Sequence, residues 1–155
     1  MAANRRYAAS FRPGPNVPAR RLAILACMDS RFDAYRSLGL EAGDAHLIRN
    51  AGGVASDDAI RSLVISHWRL GTQRVLVIGH TDCGMATFTD EELRRQLAEK
   101  TRAEVDNLRF LTFRDVDERV RESVRILRET PLLPDTYEVT GLVFEVATGM
   151  LRPVA

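Results

Sequence analysis

Leu22-Ala23-Ile24-Leu25-Ala26 runs directly into Cys27-Met28-Asp29-Ser30-Arg31. An apolar run without polar alternation describes a strand buried on both faces, as in parallel sheets covered by helices. A second such run, Val75-Leu76-Val77-Ile78, ends just before His80-Thr81-Asp82-Cys83-Gly84. Both cysteines of the chain and one of its three histidines therefore follow the carboxyl ends of two buried strands. In open α/β sheets that edge binds ligands, near the point where strand order reverses. If the two strands are neighbours, Cys27, His80 and Cys83 converge.

Outward from these runs, strands alternate with helices. Ala45 to Asn50 reads as a weaker strand, followed by a turn at Ala51-Gly52-Gly53. Ser56 before Asp57 and Asp58 is an N-cap with acids in the first turn. Ile60, Leu63, Val64 and Trp68 then share one helical face, and Gly71 ends the helix. Thr89 and Glu92 have the spacing of a capping box, opening a polar helix that extends to about Lys100. Val116, Val120, Val124 and Leu127 mark an amphipathic helix that stops before Pro131 and Pro134. Tyr137 to Ala147 reads as a strand, and Thr148-Gly149 turns it into a short returning strand, Met150 to Val154. Residues 1–20, broken by Pro13, Gly14, Pro15 and Pro18, read as an irregular or weakly helical arm. The predicted architecture is α/β: a mostly parallel central β-sheet flanked by helices, with a short antiparallel C-terminal strand. The arm spans 1–20 and a single domain spans 21–155.

With 155 residues, 45% hydrophobic and 28% charged, the chain suits one soluble domain with a substantial core. No apolar run nears the ~20 residues that span a bilayer. The first arginines precede no apolar stretch of a secretory signal, so the expectation is a cytoplasmic protein with no membrane partner. A net charge of +1 offers no electrostatic reason to expect nucleic acid. The arm is nonetheless basic, because Arg5, Arg6, Arg12, Arg20 and Arg21 all precede the first acidic residue, Asp29. It reads as a solvated arm or one docked on a partner subunit, where Tyr7 and Phe11 would anchor it.

A cysteine pair in a reducing compartment means metal, redox chemistry or burial. His80, three residues before Cys83, tips the reading toward metal. Two thiolates and one imidazole suit Zn²⁺, one ion per chain, and leave its fourth tetrahedral position for chemistry. Thiolates donate more charge than imidazoles, so a bound water needs help to ionise near neutral pH. Asp29 is placed to accept a hydrogen bond there, or to swing inward and become the fourth ligand itself. Arg31 decides between the two by a bidentate hold on Asp29. Alone, an Asp-x-Arg pair is an ordinary surface ion pair worth ~0–1 kcal/mol. Beside Cys27 and His80-x-x-Cys83 it reads as functional. A permanently closed site would instead be a non-catalytic zinc module, and a Cys27–Cys83 disulfide would mark a dithiol redox protein. The remaining candidates have plainer readings: His46 and His67 buried or capping, Trp68 in core or interface, Met28 lining the site, Asp82 capping the next turn.

These motifs, their spacing and the intervening Arg49-Asn50-Ala51-Gly52-Gly53 resemble the β-class carbonic anhydrases. The likeness continues through Val139-Thr140-Gly141-Leu142-Val143-Phe144 and the Thr148-Gly149 turn, and so covers the chain from about residue 20 onward. The resemblance implies zinc on Cys27, His80 and Cys83, a catalytic dyad of Asp29 and Arg31, and Asp29 as fourth ligand in a closed state. It implies a lyase that reversibly hydrates CO₂ to bicarbonate and a proton by attack of zinc-bound hydroxide. It also implies a homodimer or higher homo-oligomer in which the arm packs on the neighbouring subunit. Pro18 stands where plant-type members carry a glutamine, and the Ala51-Gly52-Gly53 loop is small. Both features resemble a compact bacterial subgroup whose relatives include hydrolases of carbonyl sulfide. The alternative substrate is therefore carbonyl sulfide, or another small cumulene, at the same site.

Overall fold

The computed structural model describes residues 1–101 and 103–155. Among them are five strands: β1 (Leu22–Cys27), β2 (Ala45–Asn50), β3 (Arg74–His80), β4 (Glu138–Phe144) and β5 (Leu151–Pro153). They form one sheet in the order β2-β1-β3-β4-β5. The first four are parallel, and β5 returns antiparallel along β4. Strand order reverses between β1 and β3, which are hydrogen-bonded neighbours with Ala26 opposite Ile78. The two strands thus end side by side, which is the condition for the two cysteine motifs to meet.

Every residue of β1 is buried, the physical reason its sequence lacks polar alternation. The pleat sends alternate side chains to opposite faces. Ala23, Leu25, Val75, Val77 and Val143 join Ala59 and Leu63 of α3 (Asp57–Trp68) and Val120, Val124 and Leu127 of α5 (Val116–Glu129). Ile24, Ala26, Ile78 and Phe144 face the other way, against Phe32 and Ala34 at the start of α2 (Ala34–Ser37). α5 approaches the sheet closely at Gly79 and Gly141, where an added Cβ would stand 2.7 Å from Val116 and 2.8 Å from Val120.

The local stop and start signals act as their chemistry dictates. The Ser56 hydroxyl accepts from Ala59 N. Thr89 N donates to Glu92 Oε2 at 2.7 Å while Glu92 N donates to Thr89 Oγ1 at 3.2 Å, closing the capping box of α4 (Asp90–Thr101). β4 ends earlier than the expected Ala147, because Glu145 already accepts from Thr148 N and Gly149 N in the turn. Trp68 is a correction to the expected core face: it is 61% exposed, and its indole donates to the Leu132 carbonyl. The buried line of α3 runs through Ala59, Leu63 and Ser66. At ~100° per residue Trp68 lies half a turn away from Ala59. The arm contains a full helix, α1 (Ala2–Ser10), none of whose residues is buried. His46 Nδ1 pairs with Ser66 Oγ at 2.8 Å and His67 Nδ1 donates to the Thr72 carbonyl at 2.6 Å, so both tie the end of α3 to neighbouring backbone or strand.

After α4 the chain is pinned back to that helix's first residue. Asp90 accepts from Phe110 N, Thr112 N and Thr112 Oγ1. This seats Phe113 against the Gly52 turn, where an added Cβ would meet its ring at 2.9 Å. The same bonds, that of the Thr112 side chain foremost, lower the Asp90 carboxyl to about 2. A folded value below the unfolded one means that this stabilisation is complete above about pH 4 and lost as pH falls through about 2. Asp90→Ala is expected to cost about 2 kcal/mol at neutral pH and to flatten the stability loss across that acid window. Urea midpoints measured against pH read both effects; an unchanged acid slope would remove Asp90 from the explanation.

Candidate metal centre

Cys27 closes β1, and His80 closes β3 three residues before Cys83. All three side chains are buried. Their ligand atoms lie within 4.8 Å of one another, with the two Sγ atoms 3.9 Å apart and both cysteines free. The convergence expected from strand adjacency is therefore present.

His80 supplies the most telling detail. Its Nδ1 lies 2.9 Å from the Thr81 carbonyl oxygen, which can only accept, so Nδ1 carries the proton. Nε2 then presents a lone pair toward the sulfurs, and among the described residues it has no hydrogen-bond partner although His80 is 1% exposed. Orphaned buried polar atoms are costly and rare in folded proteins. Thr81 is itself fixed, its N–H donating to the Phe144 carbonyl and its hydroxyl accepting from Val146 N.

The thiols are electrostatically unequal. Cys27 is held well below the usual thiol range, chiefly by the S–H of Cys83, then by His80 and the backbone N–H groups of Asp29 and Gly52, against the opposing effect of burial. Cys83 is pushed up by the same shared proton and by burial. The Cys27 sulfur raises the His80 pKa, against the opposing effect of burial. A cluster that acidifies one thiol and leaves an imidazole lone pair vacant favours a cation in its midst. Two sulfurs and one imidazole nitrogen fit Zn²⁺ as three of its four tetrahedral ligands.

Asp29 and Arg31 stand at the rim. Asp29 Oδ1 accepts from Arg31 N at 2.9 Å and Nε at 3.0 Å, and Oδ2 accepts from Nη2 at 2.8 Å. This grip holds the Asp29 carboxyl far below the usual carboxylate range. Oδ2 lies 3.7 Å from His80 Nε2, beside the cluster and turned toward the guanidinium. Met28, between Cys27 and Asp29, is exposed.

Two further contributors have roles that the sequence does not show. Arg49, at the end of β2, donates Nε to the Cys27 carbonyl at 2.9 Å and Nη2 to the Asp29 carbonyl, bracing the loop that carries both residues. Its signal in the sequence is its place in the Arg49-Asn50-Ala51-Gly52-Gly53 stretch that carries the family resemblance, which gives it no role. Gly53 is the other. With φ at +64°, its missing Cβ would stand 2.8 Å from Cys27 N and 2.9 Å from the Ile78 carbonyl. Only glycine lets this turn press against the ends of β1 and β3.

A mostly parallel sheet that gathers two cysteines and a histidine at its switch point, with a carboxylate clamped alongside, defines an α/β protein with a Cys-His-Cys cluster that could hold a metal ion. The chain belongs to the β-class carbonic anhydrases: the family model described as carbonic anhydrase matches residues 22–151. It is 44% identical over 155 residues to β-carbonic anhydrase 1 of Mycobacterium tuberculosis, covering 99% of this chain and 94% of that protein. The solved carbonic anhydrase of Streptococcus mutans superposes with a TM-score of 0.94 at 43% identity, covering 99% of this chain and 94% of that one. A carbon disulfide hydrolase of Acidianus sp. is 39% identical over 86% of this chain and 76% of its own length.

Proposed function

We propose that this chain catalyses the reversible hydration of CO₂ to bicarbonate and a proton, with one zinc ion held by Cys27, His80 and Cys83. The single observation that carries the reading is the vacant His80 Nε2, buried beside two sulfurs with its other nitrogen committed to Thr81. Zinc held there by Cys27, His80 and Cys83 would supply Lewis acidity toward water.

The chain's own groups do the rest. Asp29 stays ionised because three N–H groups of Arg31 point at its oxygens. An ionised carboxylate is acceptor-only, so Asp29 takes a hydrogen bond from water beside the cluster and aims the water's lone pair outward at CO₂. Arg31 keeps Asp29 in place and ionised throughout. Arg49 holds the carbonyls of Cys27 and Asp29, keeping ligand and dyad in one rigid loop. CO₂ is linear and electrophilic at carbon, and its attack needs little more than an oriented nucleophile.

A second reading has a specific observation in its favour. The 39% identical relative is named a carbon disulfide hydrolase, and CS₂ and carbonyl sulfide share the geometry and electrophilicity of CO₂. One purified sample, analysed for zinc per chain, is assayed for proton release from CO₂ and for sulfide release from carbonyl sulfide and CS₂. We expect one zinc per chain and a kcat/KM for CO₂ at least about a hundredfold above either sulfur substrate. Sulfide release without CO₂ hydration would transfer the assignment to the cumulene hydrolases. Bound zinc with neither activity would leave a non-catalytic zinc module, and a Cys27–Cys83 disulfide without zinc a redox protein.

The arm, residues 1–20, is assigned to packing on a second copy of the chain in a homodimer, with 21–155 the catalytic domain. Support comes from α1, which buries nothing on its own subunit while Tyr7 and Phe11 stand exposed with ring centroids 5.7 Å apart. No helix among the described residues is long and apolar enough to cross a membrane. The two free thiols suit a reducing, cytoplasmic setting.

A further inference from the structure

Asp82 lies between His80 and Cys83 and has φ at +55°, a left-handed conformation uncommon outside glycine. Its Oδ2 accepts from Arg31 Nη1 at 2.7 Å, and its own backbone carbonyl accepts from Arg31 Nη2 at 2.9 Å. The guanidinium that grips Asp29 through Nε and Nη2 is therefore gripped in turn by Asp82. Asp82 is 79% exposed and Arg31 44%, so simple ion pairing across this contact contributes little. Geometry contributes more. A guanidinium is planar and rigid, and fixing the edge that faces Asp82 fixes the edge that faces Asp29.

We infer that Asp82 is a positioning residue: by anchoring Arg31 to the loop that carries His80 and Cys83, it keeps the Asp29 carboxylate beside the fourth metal position rather than on it. The inference rests on the reading of Cys27, His80 and Cys83 as metal ligands. Asp29 Oδ2 is already 3.7 Å from His80 Nε2, so a short displacement of the Asp29–Arg31 pair brings the carboxylate onto a bound cation. Asp82 is the side chain that ties this pair to the opposite loop. The contact joins residues 51 positions apart, and it also couples the loop with one ligand to the loop with two.

The test uses the full chain loaded with Co²⁺, whose visible spectrum reports when an added anion, azide, enters the open coordination position. Three proteins are compared at one fixed alkaline pH, each with metal content and thermal midpoint measured: the parent, Asp82→Gly and Asp82→Asn. Glycine removes the carboxylate without straining the left-handed backbone. Asparagine keeps an acceptor oxygen and also tolerates that backbone. The parent is expected to bind one Co²⁺ and respond to azide; if it does not, the metal-site reading fails rather than the role of Asp82. Asp82→Gly is expected to keep its metal yet bind azide about tenfold more weakly. Asp82→Asn should recover most of the parent's affinity. Azide affinity in Asp82→Gly equal to the parent's would overturn the proposal, as would equal impairment in both variants. Loss of Co²⁺ from Asp82→Gly would also overturn it, by assigning Asp82 to the folding of the ligand loop.

Discussion

Cys83→Ser is expected to emerge from dialysis with less than about a tenth of a zinc ion per chain and with CO₂ hydration reduced by at least about a thousandfold. A serine hydroxyl ionises too weakly to replace a thiolate, and Cys83 is buried, so no solvent-borne ligand easily takes its place. The loss would go beyond one coordinate bond. The Cys83 sulfur also lies 3.9 Å from that of Cys27, so its replacement disturbs the packing of the remaining thiol. Zinc per chain by mass spectrometry and folding by circular dichroism separate loss of metal from loss of structure. A variant that keeps stoichiometric zinc and full turnover would remove Cys83 from the site.

Asp29→Asn should behave differently, retaining zinc while turnover falls by about 10²- to 10⁴-fold. The substitution preserves volume but replaces one acceptor oxygen by an amide that donates. Arg31 offers only donors, through N, Nε and Nη2, so one edge of the new side chain meets N–H with N–H. The orientation of the acceptor and its negative charge are lost together, while Cys27, His80 and Cys83 are untouched. Stopped-flow kcat on samples with measured zinc content reads the effect. Unchanged turnover would place Asp29 outside the mechanism and leave Arg31 as a structural arginine.

Sequence patterns located most of the elements because their causes are local. Burial on both faces leaves β1 without polar positions, the capping box of α4 is closed by residues three apart, and the stripe Val120, Val124, Leu127 repeats once per helical turn. Where the local signal is thin, the element leaves no mark in the sequence. The four-residue α2 is too short for any period to show, and Trp68 fits the spacing of Ile60, Leu63 and Val64, which pack on the core, yet itself stands exposed at the helix end.

The candidate site divides along the same line. Cys27, Asp29, Arg31, His80 and Cys83 were visible because the chemistry needs those residue types, and because each follows a recognisable buried strand. Arg49 bracing the carbonyls of Cys27 and Asp29, and Asp82 holding Arg31 from the other loop, were not visible. Arginine and aspartate are common on surfaces, and nothing in their neighbours' periodicity distinguishes these two.

The amino-acid order alone determined which segments become strands and helices and which side chains can bind a cation, since propensity, capping and ligand chemistry act within a few residues. Only the tertiary structure decided that β1 and β3 lie side by side in register, that His80 turns its free nitrogen toward two sulfurs, and that one guanidinium spans both loops. Those are contacts between residues far apart in the chain, and their geometry is set by how the sheet pairs and packs, which no short window of sequence contains.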